Sequence, residues 1–316
     1  MTGTRRPLVD LHRHLEGSVR TTTVLEIAQR EGHPLASAVA PRGLLVADDQ
    51  MDGLLPYLER VDLAAEPLVR EEDWIRAARE VVLDAYDEGL DLVELRFSPW
   101  FVASRTGLAP EAVVDAVAEG VDQAHATVNL RVGLIGILLR DLGPDLADPQ
   151  LDTILSRRDR FCGIDIAGNE AGFAPDLFAP AYRRARSHGL RLTAHAGEAA
   201  GPESVWDAVR LLDADRIGHG VRAVEDPALV DHLAERGITL ELAYTSNVQT
   251  RAAASWADHP VKMLHERGVP VTLNTDNPRV SHVTVAHEHR CVQAHTGLTD
   301  EQLDAISQHA VAASFV

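Results

Sequence analysis

Cysteine is almost missing from this sequence. Cys162 and Cys291 stand far apart and in no CxxC pair, which argues against a disulfide scaffold and a thiolate metal site and fits a reducing cytoplasm. Positive charge is also scarce. Thirty basic residues face 48 acidic ones, for a net charge of −18. Such a surface repels phosphate backbones and anionic lipid, so neither nucleic acid nor membrane is an expected partner, and a small molecule is. No apolar run reaches the roughly 18 residues of a spanning helix, and the polar stretch Met1 to Pro7 lacks the apolar region of a signal peptide. Low-complexity linkers, internal repeats and long charge runs are absent, so residues 1–316 are read as one domain. Lysine is rarest of all: Lys262 stands alone.

What is present is a regular alternation. Eight short apolar runs read as strands: Leu8–His12, Leu92–Pro99, Leu130–Leu139, Gly163–Gly168, Arg191–Glu198, Arg216–Gly220, Thr239–Asn247 and Val269–Asp276. Helical periodicity fills the intervals, as in Trp74–Glu88, Pro110–Thr127, Pro175–His188, Pro202–Leu212, Pro227–Arg236 and His259–Arg267. Prolines at several starts and glycines at several ends (Gly89, Gly189, Gly237, Gly268) are the usual boundary signals. Near-continuous apolar strands alternating with helices imply a parallel sheet covered on both faces. Eight units imply closure into a TIM (β/α)8 barrel, although the pattern alone leaves an open doubly wound sheet possible. The long connection from Gly17 to Asp91 is a helical insertion between strands 1 and 2. It holds the apolar Leu54, Leu55 and Leu58 and reads as a lid over the C-terminal face, where barrels build their sites. The last residues, Ala313 to Val316, read as part of a final helix.

Four polar clusters fall at strand ends. His12 and His14 are two apart on the first strand, so their side chains share one side. His195-Ala196-Gly197-Glu198 ends the fifth strand, Gly218-His219-Gly220 the sixth, and Asn274-Thr275-Asp276-Asn277 the eighth. Any one of them is more often a core histidine or a turn cap than a ligand set. Together they require four coincidences at one face of one barrel. Three neutral imidazoles and a carboxylate suit a single Zn2+ with a position left for water. Glu198 then suits a proton donor, and His219 can hold or deprotonate the water. The fourth strand carries no lysine to bridge a second metal, so the site is read as mononuclear. His287-Glu288-His289 lacks the HExxH spacing and reads as an ordinary helix face; His232, His265 and His309 read as solvated.

At these residues the chain resembles the adenosine deaminase family of the amidohydrolase superfamily. The likeness rests on DLHRHLEG, VELRFSP, GIDIAGNE, HAGE, RIGHG, the Thr245-Ser246-Asn247 turn and NTDNP, spread from Leu8 to Phe315. It implies hydrolytic deamination of a 6-aminopurine nucleoside, with zinc on His12, His14, His195 and Asp276. It further implies that Glu198 protonates the purine N1 and His219 positions the hydroxide. The Gly168 amide would donate to N3, Glu16 would meet a sugar hydroxyl, and Leu54, Leu55 and Leu58 would cover the ribose. Three departures bear on substrate. Asn277 stands where many members have Asp and can donate to N7 without being protonated. Glu16 stands in place of the usual Asp, one methylene longer, and Ala243-Tyr244 replaces Cys-Pro, which would alter the pocket wall. Adenine, a 5′-modified adenosine or aminodeoxyfutalosine are the rival substrates. A cyclic-amide or pterin hydrolase and a non-catalytic binding protein are the rival classes.

Overall fold

The computed structural model describes residues 5–49 and 51–316; residues 1–4 of the polar N-terminal stretch lie outside them. Eight strands pair in parallel and in chain order. They are β1 (Val9–His14), β2 (Leu92–Phe97), β3 (Arg131–Leu139), β4 (Gly163–Ala167), β5 (Arg191–Ala196), β6 (Arg216–His219), β7 (Thr239–Leu242) and β8 (Val271–Leu273). The ring closes where the N–H of His14 donates to the Asp276 carbonyl and that of Asp276 to the His12 carbonyl, each at 2.8 Å. Closure removes the open-sheet alternative and both sheet edges.

Helices follow the strands around the outside. The first connection contains α1 (Thr21–Glu31), α2 (Pro41–Leu44), α3 (Leu54–Ala65) and α4 (Glu71–Asp87). Of these, α4 is an outer-ring helix: Trp74, Ala77, Ala78, Val81, Val82 and Ala85 form a buried stripe at i, i+3, i+4 spacing. Farther along come α5 (Pro99–Thr106), α6 (Pro110–His125), α7 (Ala147–Leu155), α8 (Ala179–Ser187), α9 (Pro202–Arg210) and α10 (Pro227–Arg236). The last are α11 (Tyr244–Gln249), α12 (Val261–Glu266), α13 (Val285–Thr296) and α14 (Asp300–Ala313). The insertion's α3 sits at the barrel mouth, where Tyr57 and Val61 are buried with Ala47, Met51 and Val280.

β3 ends at Leu139 as its run suggests and β1 runs on to His14, two residues beyond its run, but the other six strands end earlier than theirs. The run Thr239–Asn247 leaves the sheet after Leu242 because Asn247 folds back. Its side-chain oxygen accepts the Ala243 N–H at 3.3 Å, a local bond that competes with the ladder. The run Val269–Asp276 shrinks to β8, and beyond it Asp276 takes φ +60, outside the extended region. At the other end of the chain, helix does not persist to Val316. It stops at Ala313, Ser314 is extended, and the Phe315 ring lies 3.5 Å beneath the Arg216 guanidinium.

The lumen is charged rather than aliphatic. Glu94, Arg96, Asp165, Arg216 and Glu241 are all buried there. Arg96 donates to Asp165 at 2.8 Å and to Glu241 at 2.7 Å, while Arg216 bridges Glu241 at 2.6 Å and also pairs with Glu94. This polar column leads upward to the mouth.

Candidate active site

At the mouth, three imidazoles point their Nε2 atoms at one another. His195 Nε2 lies 3.1 Å from that of His12 and 3.2 Å from that of His14. Asp276 Oδ1 is 3.3 Å from His14 Nε2 and 3.8 Å from His12 Nε2. Two carboxylates fix the tautomers from behind. Glu241 hydrogen-bonds His12 Nδ1 at 2.7 Å, and Asp165 Oδ2 lies 2.9 Å from His195 Nδ1, out of hydrogen-bond line. A carboxylate only accepts, so each Nδ1 keeps the proton and each Nε2 presents a lone pair. Burial holds His12 and His14 well below the ordinary imidazole value, with the Arg96 charge assisting. Neutral lone pairs at this separation repel unless a cation sits between them. An ion about 2.0–2.1 Å from tetrahedrally placed nitrogens sets them roughly 3.3 Å apart. The donor set and its spacing therefore fit zinc.

The backbone here is strained to suit. His219 has φ +61 and Asp276 φ +60, a conformation costing about 1–3 kcal/mol each for such residues. Asp276 is steadied by Ser246, whose hydroxyl donates to Oδ2 at 2.6 Å, and by the Asn277 amide, which donates to Oδ1 at 2.8 Å. Gly218 lets β6 pass close by: a Cβ there would lie 2.8 Å from His12 Cε1. The atoms of His12, His195, His219 and Asp276 all fall within 4.8 Å of one another, so distance alone would admit His219 to the ligand group. Among the described residues this is the one such cluster of histidine, cysteine and acidic groups.

Glu198 stands beside the cluster, with Oε2 3.5 Å from His219 Nε2. Its Oε1 is buried without a partner. Burial, then the Asp276 and Glu170 charges, pushes its carboxyl well above the usual range, so it holds a proton that most glutamates have lost. The loop carrying it is clamped by Glu170. That carboxylate accepts the N–H groups of Gly197, Glu198, Ala199 and Ala200 at 2.6–3.1 Å and the Ser204 hydroxyl at 2.5 Å.

Two connected spaces open from this point. The inner one is lined by His14, Glu198, His219, Asp276 and Asn277 below and Leu54, Tyr57 and Leu58 above, with Gly168 at the side. The outer one, about 480 Å³, is bounded by Glu16, Leu55, Leu58, Ser98, Asp141 and Gly168 among others. Gly168 has φ +107, and a Cβ would come within 2.0 Å of Asp141 Oδ2. No larger residue fits that wall. Glu16 is buried, accepts the Ser98 N–H at 2.9 Å, and is raised by burial to about 7.

Of the residues singled out from sequence, His14, His195, Glu198, His219, Asp276, Asn277, Gly168, Leu54 and Leu58 line the inner space, Glu16 and Leu55 line the outer one, and His12 stands in the imidazole cluster. Others went unread: Asp165, Glu241, Arg96, Glu170, Ser246 and Tyr57. Their signal was available in part, as charged residues inside otherwise apolar strands. Some expectations are corrected. Tyr244 lines neither space; its hydroxyl donates to the Trp256 carbonyl at 2.5 Å and its ring packs on His259, because α11 turns it outward. The segment His287-Glu288-His289 does lie on a helix, α13, where Glu288 is buried and accepts the Thr245 N–H at 2.9 Å. His309 is half-buried against Thr239 Oγ1 at 2.8 Å rather than solvated. Asn277 has one amide hydrogen engaged by Asp276, and its Oδ1 is buried without a partner.

Comparison with known proteins agrees with this geometry. The family model for adenosine deaminase matches residues 7–316. An adenosine deaminase of Edwardsiella ictaluri is 40% identical over 318 residues, covering 100% of this chain and 96% of its own. Among solved structures, an adenine deaminase from Arthrobacter aurescens superposes with a TM-score of 0.91 at 26% identity, covering 99% of this chain and 94% of its own. An amidohydrolase of Burkholderia ambifaria, solved with bound Zn, gives 0.90 at 29%, covering 98% and 86%. Cluster, acid, fold and sequence agree, and the chain belongs to the adenosine deaminase family.

Proposed function

We propose that this chain removes the 6-amino group of adenosine by hydrolysis, giving inosine and ammonia, with one zinc ion on His12, His14, His195 and Asp276. The observation that carries this reading is a carboxyl of raised proton affinity, Glu198, buried beside a cluster of lone pairs on the wall of a cavity that adjoins a space of about 480 Å³. Zinc in that cluster supplies Lewis acidity, which brings the pKa of a water down to about 7. The protein does the rest. A 6-aminopurine resists attack at C6 until N1 is protonated, and Glu198 has the proton to give. Acid assistance of this kind contributes roughly 100- to 10,000-fold. The Gly168 amide meets N3, the second hydrogen of Asn277 Nδ2 meets N7, and His219 lies on the side where the new oxygen arrives. Leu54 and Leu58 exclude water from above.

The outer space supports a nucleoside over the free base. Adenine would leave the outer space, with Glu16 and Asp141 on its wall, unfilled; a ribose supplies hydroxyls that these acceptors can take. A 5′-phosphate is disfavoured. Glu16, Glu59, Asp62 and Asp141 line that space, and its one cation, Arg105, is already paired with Asp62 at 2.9 Å. No helix among the described residues is long and apolar enough to cross a membrane. Two free, widely separated cysteines support a reducing compartment such as the cytoplasm. Ammonia release from adenosine, adenine, AMP and a 5′-alkylated adenosine tests the assignment. Adenosine is expected to give the highest kcat/KM. No release from any of the four would overturn deamination, and adenine or AMP in first place would overturn the nucleoside.

A further inference from the structure

His219 differs from its neighbours in what stands behind it. His12 and His195 have carboxylates at Nδ1; His219 has the amide of Asn247, with Nδ2 at 2.9 Å. Which end of that amide faces His219 follows from two backbone donors. The N–H of Val261 reaches His259 Nδ1 at 3.2 Å, so that nitrogen must accept. Buried His259 is pushed down to about 3 by desolvation and carries a single proton, which then resides on Nε2. His259 Nε2 lies 3.2 Å from Asn247 Oδ1, and the Ala243 N–H meets the same oxygen at 3.3 Å. Turning the amide over would set its N–H groups against both of these donors. Asn247 Nδ2 therefore donates to His219 Nδ1, and the proton of neutral His219 sits on Nε2, facing Glu198 and the cavity.

We propose that Asn247, locked by His259, is a positioning residue that keeps His219 in its Nε2–H tautomer. His219 then serves as a hydrogen-bond donor to the oxygen added at C6. It does not ligate the metal, although distance would permit it, and it takes no proton, because Nε2 already has one and Nδ1 is capped. Of the two roles that His219 could play, holding or deprotonating the water, the relay selects the first. The inference rests on the deaminase reading for its catalytic meaning, but the tautomer itself does not.

The test uses zinc-loaded enzyme with ¹⁵N-labelled histidine rings, His219 being assigned by loss of its signals in His219→Gln. Long-range ¹H–¹⁵N correlation is expected to show a protonated Nε2 and an unprotonated Nδ1. In Asn247→Asp the carboxylate draws the proton to Nδ1, as at His12 and His195. The pattern should reverse, and kcat should fall by about 100-fold, the cost of losing one preorganised donor, with KM nearly unchanged. A native His219 protonated on Nδ1 overturns the proposal by itself, whether or not the variant folds. So does a folded Asn247→Asp enzyme that keeps the native pattern or the native kcat. A native Nε2–H signal in an enzyme that fails to deaminate adenosine would leave the relay standing and sink the substrate reading.

Discussion

A proton needs a residue whose surroundings favour the neutral acid, and at residue scale that is Glu198. Its burial beside Asp276 and Glu170 raises it, while Glu170 accepts four backbone N–H groups and the Ser204 hydroxyl and so anchors the loop. Two carboxyls on neighbouring loops thus take opposite parts. Glu198→Gln should retain zinc, measured by metal analysis, and lose roughly 100- to 10,000-fold in kcat; a variant within tenfold of the parent would refute the acid role. The HAGE and NTDNP motifs made this residue and its neighbours legible from sequence. The tautomers were not legible, because they depend on Glu241, Asp165 and Asn247, which reach His12, His195 and His219 from other strands and loops.

At the scale of elements, α3 closes the cavity that the strand ends open. Leu58 faces both the inner and the outer space, whereas Leu55 is 61% exposed and contributes only at the rim. Leu58→Ala removes about 1–2 kcal/mol of apolar contact with a bound nucleoside. The expected result is a five- to thirtyfold rise in KM for adenosine with little change in kcat, read from initial rates. An unchanged KM would mean that α3 does not touch the substrate. The insertion's presence and its leucines were plain in the sequence. Its docking was not, because Tyr57 is buried through a hydroxyl contact to Ser281 at 2.8 Å, 224 residues away.

For the whole molecule, the charged column in the lumen ties the imidazole cluster to the barrel's far end. Arg96 holds Asp165 and Glu241, which hold His195 and His12. Removing one member of such a buried set leaves charge uncompensated, at a cost of about 3–5 kcal/mol. Arg96→Ala should therefore lower the denaturant midpoint markedly and weaken zinc retention together; loss of neither would show the column to be incidental. The buried Glu288 gives a pH test that titrates no residue of the imidazole cluster. Burial raises it to about 7, above the unfolded value of about 4.3. The folded state then binds the extra proton between those values, so its contribution is complete below about 4.3 and declines as pH rises toward 7. Relative to the parent, Glu288→Gln should flatten stability between pH 5 and 7, where one titrating group changes it by at most about 1.4 kcal/mol per pH unit. Parallel curves from urea melts would contradict this.

The sequence by itself determined the alternation of strands and helices, the insertion at the mouth, and which histidines and acids stand at strand ends. Each is a local matter of periodicity, boundary residues and spacing along one chain segment. Tertiary structure alone decided that the sheet closes, that the Nε2 atoms of His12 and His14 both come within 3.2 Å of that of His195, and that Tyr244 turns away from the cavity. It also decided which nitrogen of each imidazole keeps its proton. These depend on partners tens to hundreds of residues distant, whose hydrogen-bonding direction exists only once the barrel has brought them together.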